Sequence, residues 1–356
     1  MVLFGGTHLA AQTSPQEKRL EWALKLFPDA DADKDGKLSM PEALKYVNAH
    51  PELRALLGAK ARTEKLPPGD GSATTDTPTT PGAAAPHDPA MGPRLFVCAH
   101  SFMIFTAKLL PPMAEAAGIP YVQAGQQMLG GSQVVWHWNL PDERNLAKKA
   151  LTEGKVDVLT LAPHILLPDE GIDNFTKLGL TKNPKLRVLV QASWPARDGE
   201  LAGGFRNEKR NESTVESLNT LRDGFHEAWL EPLEHQVREL NKSVGHDAVH
   251  IIPVCEAVFA LRERIAEGKA PGLSQQTDLF RDDLGHPKPP LAVLVTYCHF
   301  AAIFQRSPVG LPVPAELKDM PHADEMNRLM QQLAWDAVSQ YPMSGLKADA
   351  PAEQAQ

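Results

Sequence analysis

The sequence predicts an α/β protein built on a mostly parallel sheet and joined to a small helical module. Three observations carry this. From Arg94 onward, short apolar runs alternate with stretches of helical periodicity, the pattern of parallel strands linked by crossover helices. The runs are nearly continuous in their apolar residues, as strands covered by helices on both faces are. Between residues 61 and 93 the composition shifts to Pro, Thr, Ala and Gly, with almost nothing large enough to bury, which predicts a flexible linker. The expected organisation is a helix-loop-helix module over 14–60, the linker over 61–93, and an α/β domain over 94–335 with a charged helical insertion at 200–245. A C-terminal tail over 336–356 completes it.

The elements follow in order. Strands are expected at Leu95 to Cys98, Val156 to Leu161, Arg187 to Gln191 and Val249 to Val254, with a weaker one around Tyr121 to Gln123. Helices fit between them at Phe102 to Ala117, Asp142 to Glu153, Glu170 to Leu178, Cys255 to Glu267 and Pro290 to Phe304. The insertion reads as one or two amphipathic helices with a solvated charged face, or as a lid beside the sheet.

Composition excludes several classes. At 356 residues the chain can bury a large core, and 42% hydrophobic with 22% charged residues is globular usage. A formal charge of −8 argues against a generic polyanion binder, so no nucleic-acid partner is expected. No run approaches the roughly 18 apolar residues of a membrane span. Cys98, Cys255 and Cys298 are too few and too scattered for a disulfide framework and are expected as buried thiols. The opening "MVLFGGTHLAAQTS" lacks a basic n-region and reads as a plain start or a clipped secretory signal.

The stretch "DADKDGKLSMPE", Asp31 to Glu42, places oxygen donors at the spacing a hard cation needs. Asp31, Asp33 and Asp35 supply carboxylates, Lys37 a main-chain carbonyl, Ser39 a direct or water-mediated contact, and Glu42 a bidentate closure. Gly36 permits the sharp turn around the ion and Leu38 can anchor the loop. This resembles the EF-hand family's loop at every diagnostic position. The pieces Ser14 to Phe27 and Met40 onward have the helical pattern that motif requires. EF-hands commonly pair, whereas one loop is present here. The resemblance implies Ca²⁺ in a structural or regulatory role and no cofactor for catalysis.

A second constellation begins at "RLFVCAHSFMIF", where Ser101 follows an apolar strand. Near the C-terminal end, "TDLFRDDLGHP" supplies Asp283 and His286. A hydroxyl, an imidazole to take and return its proton, and a carboxylate to orient the imidazole are what acyl transfer needs. With the Gly-rich turn "MLGGS" after the second strand, this order resembles the SGNH, or GDSL-like, hydrolase family over roughly Arg94 to Pro312. The resemblance implies a three-layer α/β/α sandwich with the site at the C-terminal ends of the strands. It also implies Ser101 as nucleophile, His286 as base, Asp283 as orienting acid, and the Ser101 and Gly130 amides as oxyanion donors. The family's usual residues before the serine are replaced by Ala99 and His100. Its third motif, Gly-x-Asn, is absent: "TLAPHILLPDEG" puts His164 at the asparagine's place, as a substitute donor or a structurally satisfied side chain.

His100, Trp138 and Trp194 are the further candidates for substrate contact, each with packing as the alternative. The function expected is a serine esterase cleaving an acyl ester, carbohydrate O-acetyl groups included, in a secreted or periplasmic setting. The alternative is a catalytically weak or inactive calcium-dependent carbohydrate- or ligand-binding protein on the same fold.

Overall fold

Five parallel strands organise the α/β region in the computed structural model, which describes residues 24, 28–39, 42, 46, 89–200 and 204–346. In chain order they are β1 (Arg94–Ala99), β2 (Val122–Met128), β3 (Val158–Leu161), β4 (Arg187–Gln191) and β5 (Val249–Ile252). Their order across the sheet is β2-β1-β3-β4-β5. The chain thus winds one way from β1 to β2 and the other way from β1 through β3, β4 and β5. That reversal leaves a crevice at the C-terminal ends of β1 and β3, the usual ligand position in an open α/β sheet.

Helices cover both faces. Those of the described residues are α1 (Thr106–Ala116), α2 (Val134–Trp138), α3 (Leu146–Thr152), α4 (Glu170–Leu180), α5 (Val215–Phe225), α6 (Glu231–Val244), α7 (Val254–Ala266), α8 (Pro289–Phe304) and α9 (Ala323–Gln340). The period-2 geometry of β1 sends Leu95, Val97 and Ala99 to one core, against α1, α8 and α9. Phe96 and Cys98 go to the other, against α3, α4 and α6. Helix α8, "PPLAVLVTYCHFAAIF", carries no charged residue and is buried from Pro290 through Ile303, so it is apolar around its whole circumference. Arg187 terminates it by donating to the carbonyls of Ile303 and Ala302, at 3.0 and 2.8 Å.

Asp169 joins two helix starts. Its carboxylate accepts from the amides of Val134 (2.6 Å) and Val135 (2.8 Å) at the head of α2 and from Gly171 (2.9 Å) in the first turn of α4. Negative charge at two helix N-termini is favourable, and the same oxygens satisfy amides that have no intrahelical acceptor.

Three expectations are corrected. Helix α6 belongs to the layer covering the sheet, because Leu233, Val237 and Leu240, at i, i+4 and i+7, are buried against Val249 and Ile251. Each such side chain contributes about 1.5–3 kcal/mol on burial. The weak second strand extends to Met128. The boundary expected at 335 falls inside α9, which packs on α7 and α8, and beyond it Met343 accepts a hydrogen bond from the Ile251 amide at 2.9 Å. The three cysteines are free and buried. No helix of the described residues is long and apolar enough to cross a membrane. Apart from residues 24, 42 and 46, which are helical, the helices expected to flank the acidic loop lie outside the described residues, as does the linker up to residue 88.

Candidate active site

β1 ends at Ala99, and the chain turns at once. His100 is buried and fixes that turn: its Nδ1 accepts from the Phe102 amide (3.2 Å), which leaves Nε2–H to donate to the Pro163 carbonyl (3.3 Å). Both ring nitrogens are therefore used within the protein, so His100 shapes the turn, while its ring also lines the cavity described below. Burial pushes its pKa down to about 3, so it stays neutral. A second buried imidazole lies beneath. His299 donates to Gln191 Oε1 (2.7 Å), and Gln191 donates to the Phe102 carbonyl (3.1 Å) and to Ser193 Oγ (2.7 Å).

Between His100 and Phe102, the turn presents Ser101. Its Oγ lies 2.9 Å from His286 Nε2, and His286 Nδ1 lies 2.7 Å from Asp282 Oδ2. Sequence separation between serine and histidine is 185 residues, so the fold alone joins them. The carboxylate that meets His286 is that of Asp282, not that of Asp283 as expected. Gly285, at φ +99°, turns the chain back so that its own amide and that of His286 both donate to Asp282 Oδ1 at 3.1 Å. A side chain at 285 would face strain and the close approach of Arg210 and Trp194. Asp283 points the other way, accepting from the Asn207 amide (2.9 Å) and pairing with Arg206. For Asp282, partial burial disfavours the charge, but the amide and ring of His286 outweigh it and hold the pKa below the ordinary carboxylate value.

The loop carrying Asp282 and His286 is clamped by groups that sequence inspection did not single out for the site. Buried Arg210 donates to the carbonyls of Asp282 (3.2 Å) and Asp283 (3.0 Å) and pairs with Asp198 (3.0 Å). Arg262, also buried, takes the other Asp198 oxygen at 2.6 Å. Both guanidiniums stack near the Phe280 ring. Arg197 and Asp198 hold φ of 50° and 49°, an uncommon conformation for side-chain-bearing residues, while the Arg197 amide donates to the Leu284 carbonyl (3.1 Å). Trp194 Nε1 donates to the Gly285 carbonyl at 3.0 Å.

Gly130 lies in the turn after β2. The Leu129 amide donates to the Ala99 carbonyl (3.1 Å), which draws this turn beside the end of β1. Gln127 donates to His137 Nδ1 (3.1 Å), and His137 Nε2–H reaches Ser132 Oγ (2.8 Å), which donates to Leu129 O (3.0 Å). Among the described residues, neither the Ser101 nor the Gly130 amide donates to a protein acceptor. His164 sits edge-on to His100 with ring centroids 5.2 Å apart, and burial lowers its pKa to about 4.

A cavity of about 390 Å³ opens beside Ser101 and His286, between the ends of β3 and β4 and the stretches 195–200 and 220–229. Trp194 and His164 line it. Trp138 does not: it packs edge-on against Phe175 of α4, with Lys148 over its ring, so the expectation of substrate contact is corrected to packing.

In the acidic loop, Asp31, Asp33 and Asp35 bring carboxylate oxygens within 4.8 Å of one another. Gly36 adopts φ +79° and its amide donates to Asp31 at 2.9 Å. Glu42 folds back to accept from the Ser39 hydroxyl (2.6 Å) and amide (2.9 Å) and the Ala32 amide (3.1 Å); the Ser39 hydroxyl, then its amide, lowers the Glu42 pKa. Leu38 is buried.

No family model matches the sequence, and no curated protein matches it. Among solved structures, a DUF4886 family protein from Bacteroides uniformis ATCC 8492 is similar at a TM-score of 0.43 and 16% identity, over 70% of this chain and 95% of that one.

Proposed function

We propose that this chain is a serine esterase of the SGNH type that cleaves an acyl ester through an acyl-serine intermediate. The observation that supports it is the continuous line of hydrogen bonds from Ser101 Oγ through His286 to Asp282, at 2.9 and 2.7 Å. Ser101 Oγ attacks the ester carbonyl carbon while His286 Nε2 takes its proton, and Asp282 stabilises the imidazolium that forms. The carbonyl oxygen, now negative, turns to the Ser101 and Gly130 amides. Collapse of the tetrahedral species breaks the bond to the alkoxy oxygen, which leaves as alcohol with the proton from His286. Water then attacks the acyl-serine with His286 again as base, releasing the acid and restoring Ser101.

A donor in an oxyanion hole is worth about 10²- to 10³-fold in rate. With histidine in place of the family's asparagine at 164, turnover is expected to be slower than two amides and a side-chain donor together would give. The test is hydrolysis of p-nitrophenyl acetate and of acetylated sugars by wild type and Ser101→Ala. A wild type as inert as the mutant across acyl groups would reject the esterase and leave a ligand-binding protein on the same fold.

The acidic loop supports a second, separate reading: it would hold Ca²⁺ through Asp31, Asp33, Asp35, the Lys37 carbonyl, Ser39 and Glu42. Ca²⁺ takes six to eight hard oxygen ligands, and this donor set fits. The ion would cross-link the loop and supplies no step of the ester chemistry.

A further inference from the structure

The cavity beside the triad is walled by two stacked aromatic pairs from different parts of the chain. Phe102 and Trp194 stack at 4.7 Å in the body of the domain, and the Phe102 ring also meets His286 edge-on at 5.4 Å. Phe225 and Trp229 stack at 5.2 Å in the segment that crosses over the strand ends. Ile165 and Leu221 fill the wall between.

Most polar groups of this wall are already engaged, Thr220 and Glu200 by Glu216 and Lys209. Trp194 Nε1 donates to Gly285 and Trp229 Nε1 to the His164 carbonyl (2.8 Å), so the indole rings face the space with their polar edges satisfied. Ser193 Oγ accepts from Gln191, and the Asp198 carboxylate is held by Arg210 and Arg262. His164 Nδ1 is the exception, buried without a partner on a neutral ring. A sugar placed here would lose the hydration of several hydroxyls and find few partners, chiefly His164 Nδ1, the Ser193 hydroxyl hydrogen and Glu200 at the edge. A hydrocarbon or aryl group would lose nothing. At about 390 Å³ the space lies at the small end of small-molecule sites, which run to about 1,000 Å³.

We propose that this cavity receives an apolar group of the substrate, so that the preferred esters carry an extended hydrocarbon or aryl group rather than the acetyl group of a sugar. The assignment rests on the esterase reading for its chemistry, and on the wall alone for its ligand class. It makes the stretches 195–200 and 220–229 the elements that set specificity.

Gly224 provides the test. It lines the cavity from α5, a Cβ there meets nothing within 4 Å, and its φ is outside the positive region. Gly224→Phe therefore places a ring at the rim of the space without backbone strain. One arm measures kcat/KM for p-nitrophenyl acetate, butyrate, octanoate and benzoate; the other compares ethyl with octyl acetate. Rise with length in the first arm assigns the cavity to the acyl group, and in the second to the alcohol. Each added methylene that enters should raise kcat/KM roughly fourfold, equivalent to about 0.8 kcal/mol. Gly224→Phe should lower the long-to-short ratio by at least about tenfold, with an unchanged melting temperature.

Acetate esters preferred in both arms, or an unchanged ratio in Gly224→Phe, would overturn the proposal while leaving the esterase in place. If wild type hydrolyses none of these esters, the esterase reading falls, and quenching of tryptophan fluorescence by octanoate and octanol decides the ligand class. Quenching in wild type that Gly224→Phe abolishes upholds it, and no quenching in either protein rejects it.

Discussion

Asp282 and His286 face each other across one tight turn, Oδ2 to Nδ1 at 2.7 Å, while the adjacent Asp283 faces Asn207. The two acids therefore separate under mutagenesis. Asp282→Asn keeps the volume but cannot stabilise an imidazolium, and kcat on p-nitrophenyl esters should fall about 10⁴-fold. Asp283→Asn should stay within about threefold of wild type, since its exposed pair with Arg206 is worth at most about 1 kcal/mol. Equal losses from both variants would contradict the assignment of the acid.

The Asp198 carboxylate is the shared counter-charge of two buried guanidiniums. Asp198→Ala leaves Arg210 and Arg262 uncompensated away from water, which costs about 3–5 kcal/mol. Urea denaturation should show that loss as a lower midpoint. Activity should fall further than stability explains, because Arg210 also holds the carbonyls of Asp282 and Asp283.

Asp169 serves two helix heads at once. Replacing an N-cap by alanine costs about 0.5–2 kcal/mol, so Asp169→Ala should cost about 1–4 kcal/mol if both contacts count. A melting temperature equal to wild type would show that water replaces the carboxylate without penalty.

Acid should unfold the domain through its buried imidazoles. Burial holds His100 and His299 at pKa values of about 3 and His137 and His164 at about 4. An unfolded histidine protonates near about 6.5. Below that pH the unfolded chain takes up protons the native state refuses, so this contribution is complete above it and is lost as pH falls toward 4 and 3. Each group adds a slope of up to about 1.4 kcal/mol per pH unit, and unfolding free energies at about pH 7.5 and about pH 5 should differ by several kcal/mol. A flat profile across that interval would show that these rings are protonated in the native protein.

For the acidic loop, calorimetric titration of the full chain with Ca²⁺ should give one site that Glu42→Gln weakens at least about tenfold, by removing the bidentate ligand. Gly36→Ala should weaken it too, because φ there is +79°. Identical isotherms for wild type and Glu42→Gln would remove the calcium assignment.

Strands buried on both faces were readable because β1, β3, β4 and β5 are almost wholly apolar. The edge strand β2, "VQAGQQM", was read only at its start, since exposed Gln123 and Gln126 and buried Gln127 leave it no apolar run. Helix α9 shows its amphipathic stripe, yet its polar residues near 335 suggested a tail where Ala334 and Val338 are buried. Serine and histidine stood out by position relative to strands and turns. The choice between Asp282 and Asp283 did not, because spacing allows either and the decision lies with Gly285 and with the segment that captures Asp283. Arg210 and Arg262 are indistinguishable in sequence from solvated arginines; their partner Asp198 is 12 and 64 residues away.

Helix α8 is apolar on every side and follows His286 by only a few residues. On the ribosome, all five strands have emerged before α8 and α9, so one sheet face is covered only in part, by α1 and α7, until the end of synthesis, and exposed apolar surface makes such a chain prone to misassociate. The same late segment delivers the histidine to the serine. On the esterase reading proposed above, a nascent or truncated chain would be adhesive and would lack the Ser101–His286 pair, which forms only as the domain closes.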